Sequence, residues 1–220
     1  MKPLTRIAIV LMFIVLIGAT ALLVNLELRF SPASVGPDSG TMVVYLTLRD
    51  NQNIDAIASA SCTEARPKPN GITEQVAIAI QEKTGAAIRN IVVSEFYPED
   101  LDALVERTQK EKAEKTMPEL RTPDRRESSY KTLFIGFPIW WDEMPRAIYS
   151  YLDKVDLSGK KIYIFTCSDN SVPEGFDRKI ADAEPDAAVH PNVLNVRKEQ
   201  AQKETIGKLV EAWLRELGLN

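Results

Sequence analysis

Apolar residues follow two alternating patterns from residue 41 to the end of the chain. Short runs rich in β-branched and aromatic residues predict strands, and these runs cover residues 41–48, 87–96, 132–137, 161–166 and 188–196. Between them, apolar residues recur every three or four positions, which predicts helices at residues 73–84, 98–115, 144–154, 174–182 and 199–217. This alternation predicts a three-layer α/β fold whose five-stranded parallel sheet has helices on both faces. Right-handed crossovers are compatible with the strand order 2-1-3-4-5.

An uncharged apolar stretch precedes this pattern. Residues Ile7 to Val24 carry no charge and follow Lys2 and Arg6, and about 18 to 20 apolar residues suffice to cross a bilayer as a hydrophobic helix. The basic end predicts a cytoplasmic N-terminus, so the rest of the chain would be extracytoplasmic behind a single-pass membrane anchor. The alternative is a protein secreted after signal cleavage near Ala21, but the apolar run continues beyond that residue and favours the anchor.

Composition limits the classes of partner. The patterns divide the chain into an N-terminal segment, a linker rich in proline, serine and glycine, and a domain, which cover residues 1–29, 30–40 and 41–220. The chain has a net charge of −4 and its N-terminal segment is basic. We therefore predict no nucleic-acid partner, because phosphate contacts need clustered Lys and Arg. Two distant cysteines, Cys62 and Cys167, and the single His190 make neither a disulfide framework nor a zinc site.

Two tryptophans mark a candidate binding edge. Pro138 ends the apolar run 132–137, and Trp140 and Trp141 follow at once. Ligands of open α/β sheets bind outside the carboxyl ends of the strands, and a pair of aromatic rings suits a flat aromatic ligand. The alternative interpretation is that both rings only pack a helix onto the sheet. A polar loop at residues 167–171 follows the next strand and is expected at the same edge.

Three segments of the domain resemble the flavodoxin family, specifically its short bacterial members. They are Gly136-Phe137-Pro138-Ile139-Trp140-Trp141, Val43-Val44-Tyr45, and Phe96-Tyr97-Pro98-Glu99-Asp100. The resemblance covers the chain from about residue 41 to its end. It implies a flavodoxin-like fold, non-covalent binding of flavin mononucleotide (FMN), and electron transfer with a redox partner protein or a small-molecule acceptor.

The resemblance also implies a phosphate loop between the first strand and the first helix. Thr47 corresponds to the first hydroxyl of the family pattern Ser/Thr-x-x-Gly-Asn-Thr. Gly71, Ile72 and Thr73 correspond to its last three residues, after an insertion of about twenty residues at 50–70. Backbone N–H groups at a helix N-terminus hold the phosphate in such a loop. Ile72 keeps its N–H but lacks the polar side chain of the usual Asn.

Two further loops would hold the flavin ring. The resemblance places Pro138, Ile139, Trp140 and Trp141 along the ring and ribose. It places the loop after the fourth strand at the pyrimidine edge of the ring, with the residues Thr166, Cys167, Ser168, Asp169 and Asn170. The family commonly has two glycines in that loop, and both are absent here. Asp169 adds a carboxylate, which would repel a negatively charged reduced flavin.

These features favour an FMN-binding, membrane-tethered or exported electron carrier. One alternative is an FMN-dependent NAD(P)H:acceptor oxidoreductase, although no second dinucleotide fingerprint is present. Another is a degenerate flavodoxin-fold module that no longer binds flavin. The altered residues Ile72, Asp169 and Asn170 motivate this third hypothesis, because a fold can persist without its cofactor.

Overall fold

A parallel sheet between two helical layers forms the described part of the chain. The computed structural model describes residues 40–48, 51, 71–121, 127, 129–171 and 174–219. The predicted N-terminal hydrophobic helix, the cleavage site near Ala21, most of the predicted linker and Cys62 lie outside the described residues. Within these ranges, no helix is long and apolar enough to cross a membrane.

Strands and α-helices alternate along the residues that the structure describes, except that β5 and β6 follow one another directly. The strands are β1 (Thr41–Leu46), β2 (Ala87–Ile91), β3 (Thr132–Pro138), β4 (Lys161–Ser168), β5 (Ala188–Val189) and β6 (Leu194–Arg197). The helices are α1 (Ile72–Thr84), α2 (Leu101–Glu114), α3 (Arg146–Lys154), α4 (Phe176–Ala183) and α5 (Lys203–Glu216), and a short 3₁₀ turn occupies Lys198–Gln200.

The sheet confirms the predicted strand order. Its strands pair in the order β2-β1-β3-β4-β5, and each of these pairs is parallel. β6 also pairs with β4, further along that strand, so the predicted single strand at 188–196 is in fact two strands. Pro191 lies in the interruption and has no N–H to donate to a ladder. There the N–H of Asn192 donates to Nδ1 of His190 at 3.1 Å instead of to a strand.

The second strand is shorter than predicted because its continuation leaves the ladder. β2 ends at Ile91, whereas the apolar run extends to residue 96. The next residues pair antiparallel with the segment after α2, through a bridge between Val93 and Leu120. The N–H of Ser94 donates to the carbonyl of Glu119 at 2.7 Å. The returning segment thus pairs with the outer edge of this stretch, on the side away from β1, and the chain after Ile91 leaves the ladder with β1.

Alternate residues of the strands pack into two separate cores. In β1, Met42, Val44 and Leu46 face one core, whereas Val43 and Tyr45 face the other. Helices α2, α3 and α4 cover the first core, and α1 and α5 cover the second. The central strands are apolar on both faces for this reason, as expected of a doubly covered parallel sheet.

Candidate functional site

The N-terminus of α1 and the segments at the ends of β3 and β4 meet at the edge of the sheet where the parallel strands have their carboxyl ends. The N–H of Ile139, just after β3, donates to the carbonyl of Cys167 at 2.9 Å. The hydroxyl of Thr73, in the first turn of α1, lies 2.8 Å from Sγ of the same cysteine. Two of the three predicted binding segments therefore contact the third directly at Cys167, which is buried and has a free thiol. We refer to this place as the carboxyl edge.

The N-terminus of α1 opens onto the carboxyl edge. Gly71 precedes the helix in an extended conformation, with φ −64° and ψ 161°, and it has no side chain with which to cap the first turn. Helix N-termini present backbone N–H groups that bind anions. The side chain of Ile72 is 1% exposed and packs in the core beneath α1 and α5. Ile72 is helical, so the substitution of Asn by Ile causes no backbone strain here.

Thr47 is buried at the end of β1, and a residue that the sequence did not single out holds it there. Asn51 is 0% exposed. Its Nδ2 donates to the carbonyls of Thr47 at 2.7 Å and of Ile91 at 2.9 Å, and its Oδ1 accepts from the N–H of Val93 at 2.7 Å. One amide thus fixes the ends of β1 and β2 together. No local sequence signal marks Asn51, because two of its three partners, Ile91 and Val93, depend on the pairing of distant strands.

The two tryptophans point in different directions. Trp140 is 5% exposed and belongs to the core, where it packs edge-on against Tyr97 with ring centroids 5.4 Å apart. Trp141 is half-buried, and its Nε1 donates to Oγ1 of Thr108 on α2 at 3.1 Å. Its carbonyl accepts from Nζ of Lys112 at 2.7 Å. The packing interpretation therefore accounts for the contacts of Trp140, and Trp141 lies over α2.

The turn that carries Trp141 has an unusual backbone. Both Trp141 and Asp142 have a positive φ, 54° and 56°, which costs a non-glycine residue on the order of 1 kcal/mol. Trp140 and Glu143 exchange two backbone hydrogen bonds, of 3.0 and 2.9 Å, across this turn. Helix α3 consequently begins at Arg146 after Pro145, later than the sequence predicted.

Packing also explains the start of the family motif. Pro138 is the last residue of β3 and pairs with Cys167, so it ends the strand as predicted. A Cβ at Gly136 would lie 2.0 Å from Cζ of Phe165 on the neighbouring strand. Only glycine fits beneath this ring. Ile139 is 5% exposed and joins the same core as Trp140.

A network of polar side chains holds the loop after β4. The hydroxyl of Thr166 donates to Oδ1 of Asn195 at 3.0 Å, and Nδ2 of Asn195 donates to Oγ of Ser168 and to the carbonyl of Ser171, both at 3.2 Å. The hydroxyl of Ser168 donates to the same carbonyl at 2.8 Å. Ser171 also donates its hydroxyl to Oδ1 of Asp142 at 2.6 Å, which joins this loop to the loop after β3. The sequence did not reveal Asn195, which lies 27 residues from Ser168.

Asp169 presents an acceptor without a donor. Its Oδ1 is buried and has no hydrogen-bond partner among the described residues. Nζ of Lys198 lies 3.9 Å away, which is close enough for charge attraction but too far for a hydrogen bond. The side chain as a whole is 40% exposed, and Asn170 beside it is exposed. The buried oxygen of Asp169 is therefore held at the carboxyl edge without a hydrogen bond, while the rest of its side chain is open to solvent.

A buried cluster of ionisable side chains, Tyr97, Arg107 and Glu111, contacts Trp140 through the ring of Tyr97. The hydroxyl of Tyr97 donates to Oε2 of Glu111 at 3.2 Å, and Nε of Arg107 donates to Oε1 of Glu111 at 3.0 Å. Burial, followed by the charge of Glu111, holds the pKa of Tyr97 well above its ordinary value of 10.0. Burial also raises the pKa of Glu111, and Arg107 opposes that shift. The cluster is a neutral hydroxyl and an ion pair, which fits a supporting role.

The flavodoxin family matches residues 64–213 of this sequence. This match spans more than half of the 220 residues, and the parallel sheet and the carboxyl edge agree with it. The chain belongs to the flavodoxin family. Comparison with curated protein sequences gives no match.

Solved structures share the fold. A candidate flavoprotein from Bacteroides eggerthii superposes with a TM-score of 0.58 at 20% identity, over 82% of this chain and 98% of the other. One from Bacteroides uniformis gives 0.55 at 21% identity, over 78% and 97%. A flavoprotein from Lactobacillus acidophilus, solved in complex with FMN, gives 0.53 at 14% identity, over 70% and 91%. At identities this low, the similarity demonstrates the fold of this chain alone.

Proposed function

We propose that this protein binds FMN at the carboxyl edge and carries electrons between a donor and an acceptor. The observation that carries the proposal is the meeting of three elements there, with Thr73 and Ile139 both in contact with Cys167. This is the place where open α/β sheets bind nucleotides. The structural similarity to a flavoprotein solved in complex with FMN supports the same choice of cofactor.

The phosphate end of FMN would be held by α1. Backbone N–H groups of Gly71, Ile72 and Thr73 lie at the positive end of the helix dipole, where anions are stabilised. The side chain of Thr73 is engaged with Cys167, and that of Ile72 is in the core. The main chain would therefore supply most of the phosphate contacts. Thr47, at the end of β1, would lie on the side of the phosphate opposite α1.

The ring of FMN would lie between the loops after β3 and β4. The part-exposed carboxylate of Asp169 would accept a hydrogen bond from an N–H donor of the ring. The exposed side chain of Asn170 is beside it. Trp141 and Asp142 form the facing loop, and the hydrogen bond from Ser171 to Asp142 fixes the spacing of the two loops. When bound, FMN supplies reversible one- and two-electron chemistry, and the protein tunes its potential.

A second candidate is a flavodoxin-fold module without flavin. Both indole rings of the tryptophan pair are engaged inside the protein, Trp140 with Tyr97 and Trp141 with Thr108. This observation favours a domain that keeps the motif for packing. An FMN-dependent NAD(P)H oxidoreductase is the catalytic variant of the first proposal, and no contact of the described residues favours it.

We also propose that the apolar N-terminal stretch tethers the domain to the membrane on its extracytoplasmic side. The support is the uncharged stretch Ile7 to Val24 behind Lys2 and Arg6. Export after cleavage near Ala21 is the alternative. Mass spectrometry of the N-terminus of the mature protein separates them, because cleavage would remove about twenty residues and leave no span.

Purification of the full-length protein tests the cofactor proposal. We expect a yellow protein that releases FMN on denaturation and whose bound flavin is reduced and reoxidised reversibly in a potentiometric titration. A colourless protein that cannot be reconstituted with FMN would overturn the proposal and favour the module without flavin. Rapid consumption of a nicotinamide nucleotide in the presence of a quinone or dye would identify an oxidoreductase.

A further inference from the structure

The loop after β4 lacks the glycines that the family uses there, so another feature must fix its path. Residues 168–171 read Ser-Asp-Asn-Ser. Side chains with hydroxyl, carboxylate and amide groups compete for local backbone partners and allow several loop conformations. A loop that contacts a flavin ring must hold its position within about 0.5 Å to do so reproducibly. The residue that selects the conformation therefore matters to the cofactor.

Asn195 makes the contacts that select this conformation. It lies on β6 beside Thr166 of β4 in the strand register, so its side chain is placed by the sheet and not by the loop. Both the oxygen and the nitrogen of its side-chain amide form hydrogen bonds. Oδ1 accepts from Thr166 inside the sheet, and Nδ2 donates to Ser168 at the start of the loop and to the carbonyl of Ser171 at its end.

This geometry closes the loop on itself. The carbonyl of Ser171 accepts from both Nδ2 of Asn195 and the hydroxyl of Ser168. The two ends of the four-residue loop are thereby held at one point, and the intervening residues are directed outward, with Asp169 half-buried and Asn170 exposed. A rigid strand thus supports the segment that carries the acceptor Oδ1 of Asp169.

We infer that Asn195 is a positioning residue for the flavin ring, acting through the loop Ser168–Ser171 without touching the cofactor. The inference rests on the proposed function. The inference distinguishes contacts with the ring from contacts with the phosphate, because the loop would face the ring whereas the phosphate would lie at α1. Asn195 controls the ring contribution to binding and leaves the phosphate contribution unchanged.

The test compares FMN with riboflavin, which has the same ring and no phosphate. We expect Asn195→Ala in the full-length protein to weaken both ligands by the same factor, about tenfold, which is the effect of one or two lost hydrogen bonds. The ratio of the two Kd values should stay that of the wild type. The visible absorption spectrum of the bound flavin should also change, because the contacts at the ring change.

Two further variants complete the design. Asn195→Asp has nearly the same shape and keeps the acceptor for Thr166, but it loses both N–H donors, so it should reproduce the loss of affinity even if the alanine variant folds poorly. Asn192→Ala is the matched control. Nδ2 of Asn192 donates to Glu216 on α5 at 3.1 Å, away from the loop, and this variant should bind both flavins as the wild type does.

These experiments distinguish a failure of the proposed function from a failure of the inference about Asn195. Wild-type protein that binds neither flavin overturns the proposed function, and the inference falls with it. If the wild type binds but Asn195→Ala and Asn195→Asp keep its Kd values and spectrum, only the inference is overturned. A change in the FMN-to-riboflavin ratio would also contradict it, since that result would connect Asn195 to the phosphate.

Discussion

The loops after β3 and β4 are neighbours at one edge of the sheet, yet they are held by different forces. The first two residues after β3, Ile139 and Trp140, are anchored by apolar packing, each 5% exposed in the core. The loop after β4 is anchored by hydrogen bonds among Ser168, Ser171 and Asn195. Removal of an apolar anchor leaves a cavity, whereas removal of a polar one releases a short loop.

Because of this difference, changes in one loop should affect mainly the stability of the protein, and changes in the other mainly the bound cofactor. The most recognisable family motif, from Gly136 to Trp141, is placed where a change should affect the free energy of unfolding first. The loop that departs from the family pattern carries Asp169, the charged group among the predicted ring contacts, and a change there should affect the flavin first. Substitutions in the two loops, and in the residues packed against them, test this separation.

Trp140→Ala should cause the largest loss of stability. Truncation of a buried aromatic ring costs about 3 to 5 kcal/mol, and the edge-on contact with Tyr97 would be lost as well. The measurement is the free energy of unfolding of the flavin-free protein in urea. Trp141→Ala provides the comparison and should cost less, because that ring is half-buried. A small loss of stability together with a large loss of FMN affinity would show that Trp140 binds the ring after all.

Gly136→Ala should destabilise the protein by about 3 kcal/mol through overpacking, because the new methyl group would meet the ring of Phe165. Gly207→Ala is the matched control. Gly207 lies within α5, where an added methyl group would enter open space, so the same substitution should stabilise the helix by about 0.5 to 1 kcal/mol. Equal effects of the two substitutions would contradict the close packing of β3 on β4.

Asp169→Asn should change the flavin and spare the fold. Removal of one negative charge near the ring should make the potential of the one-electron step that forms fully reduced FMN less negative by about 40 mV, since a partly solvated charge contributes about 1 kcal/mol. The free energy of unfolding should change by less than about 0.5 kcal/mol. A potentiometric titration and a urea titration of the same variant supply both numbers. An unchanged potential would place Asp169 away from the ring.

The smallest expected effect is on the pH dependence of the free energy of unfolding, and it comes from Glu111 in the cluster that contacts Trp140. Burial raises the pKa of Glu111 above its ordinary value of 4.5. Between that value and the raised one, the folded protein binds more protons than the unfolded chain, so this residue makes the free energy of unfolding fall as the pH rises. Glu111→Gln should remove this slope in urea titrations across mildly acidic pH.

Glu211 provides a control of opposite sign for that measurement. A hydrogen bond from Lys83 lowers the pKa of this exposed carboxyl group. Its contribution to stability is therefore present above the ordinary value of 4.5 and is lost as the pH falls through the lowered pKa. Glu211→Gln should leave the slope of the mildly acidic range intact. Loss of that slope in Glu211→Gln would mean that Glu111 is not its source.

The alternating patterns sufficed to predict the layers, because parallel strands buried on both faces and amphipathic helices leave periodic signals. They were only compatible with the strand order, which the resemblance to the flavodoxin family selected. The interruption of the predicted fifth strand could have been found from Pro191, which is a local signal. The early end of β2 could not, since it depends on Asn51 and on the antiparallel return at Leu120.

The candidate site was less accessible to sequence reasoning. Cys167, Thr73 and Ile139 were assigned to three separate loops, and the structure brings them together. The directions of the two indole rings could not be predicted, because they follow from the positive φ of Trp141 and from its contact with a distant helix. The roles of Asn51 and Asn195 were hidden for the same reason, since all but one of their partners lie 24 to 42 residues away in sequence.

A titration of the purified full-length protein with FMN, followed by the quenching of flavin fluorescence, decides whether the carboxyl edge is a flavin site. We expect saturable binding of one FMN per chain with a Kd of about 1 μM or below, which corresponds to about 8 kcal/mol of binding free energy. Absence of saturable binding by protein whose circular dichroism shows the folded domain would contradict it, and would leave the carboxyl edge as packing alone.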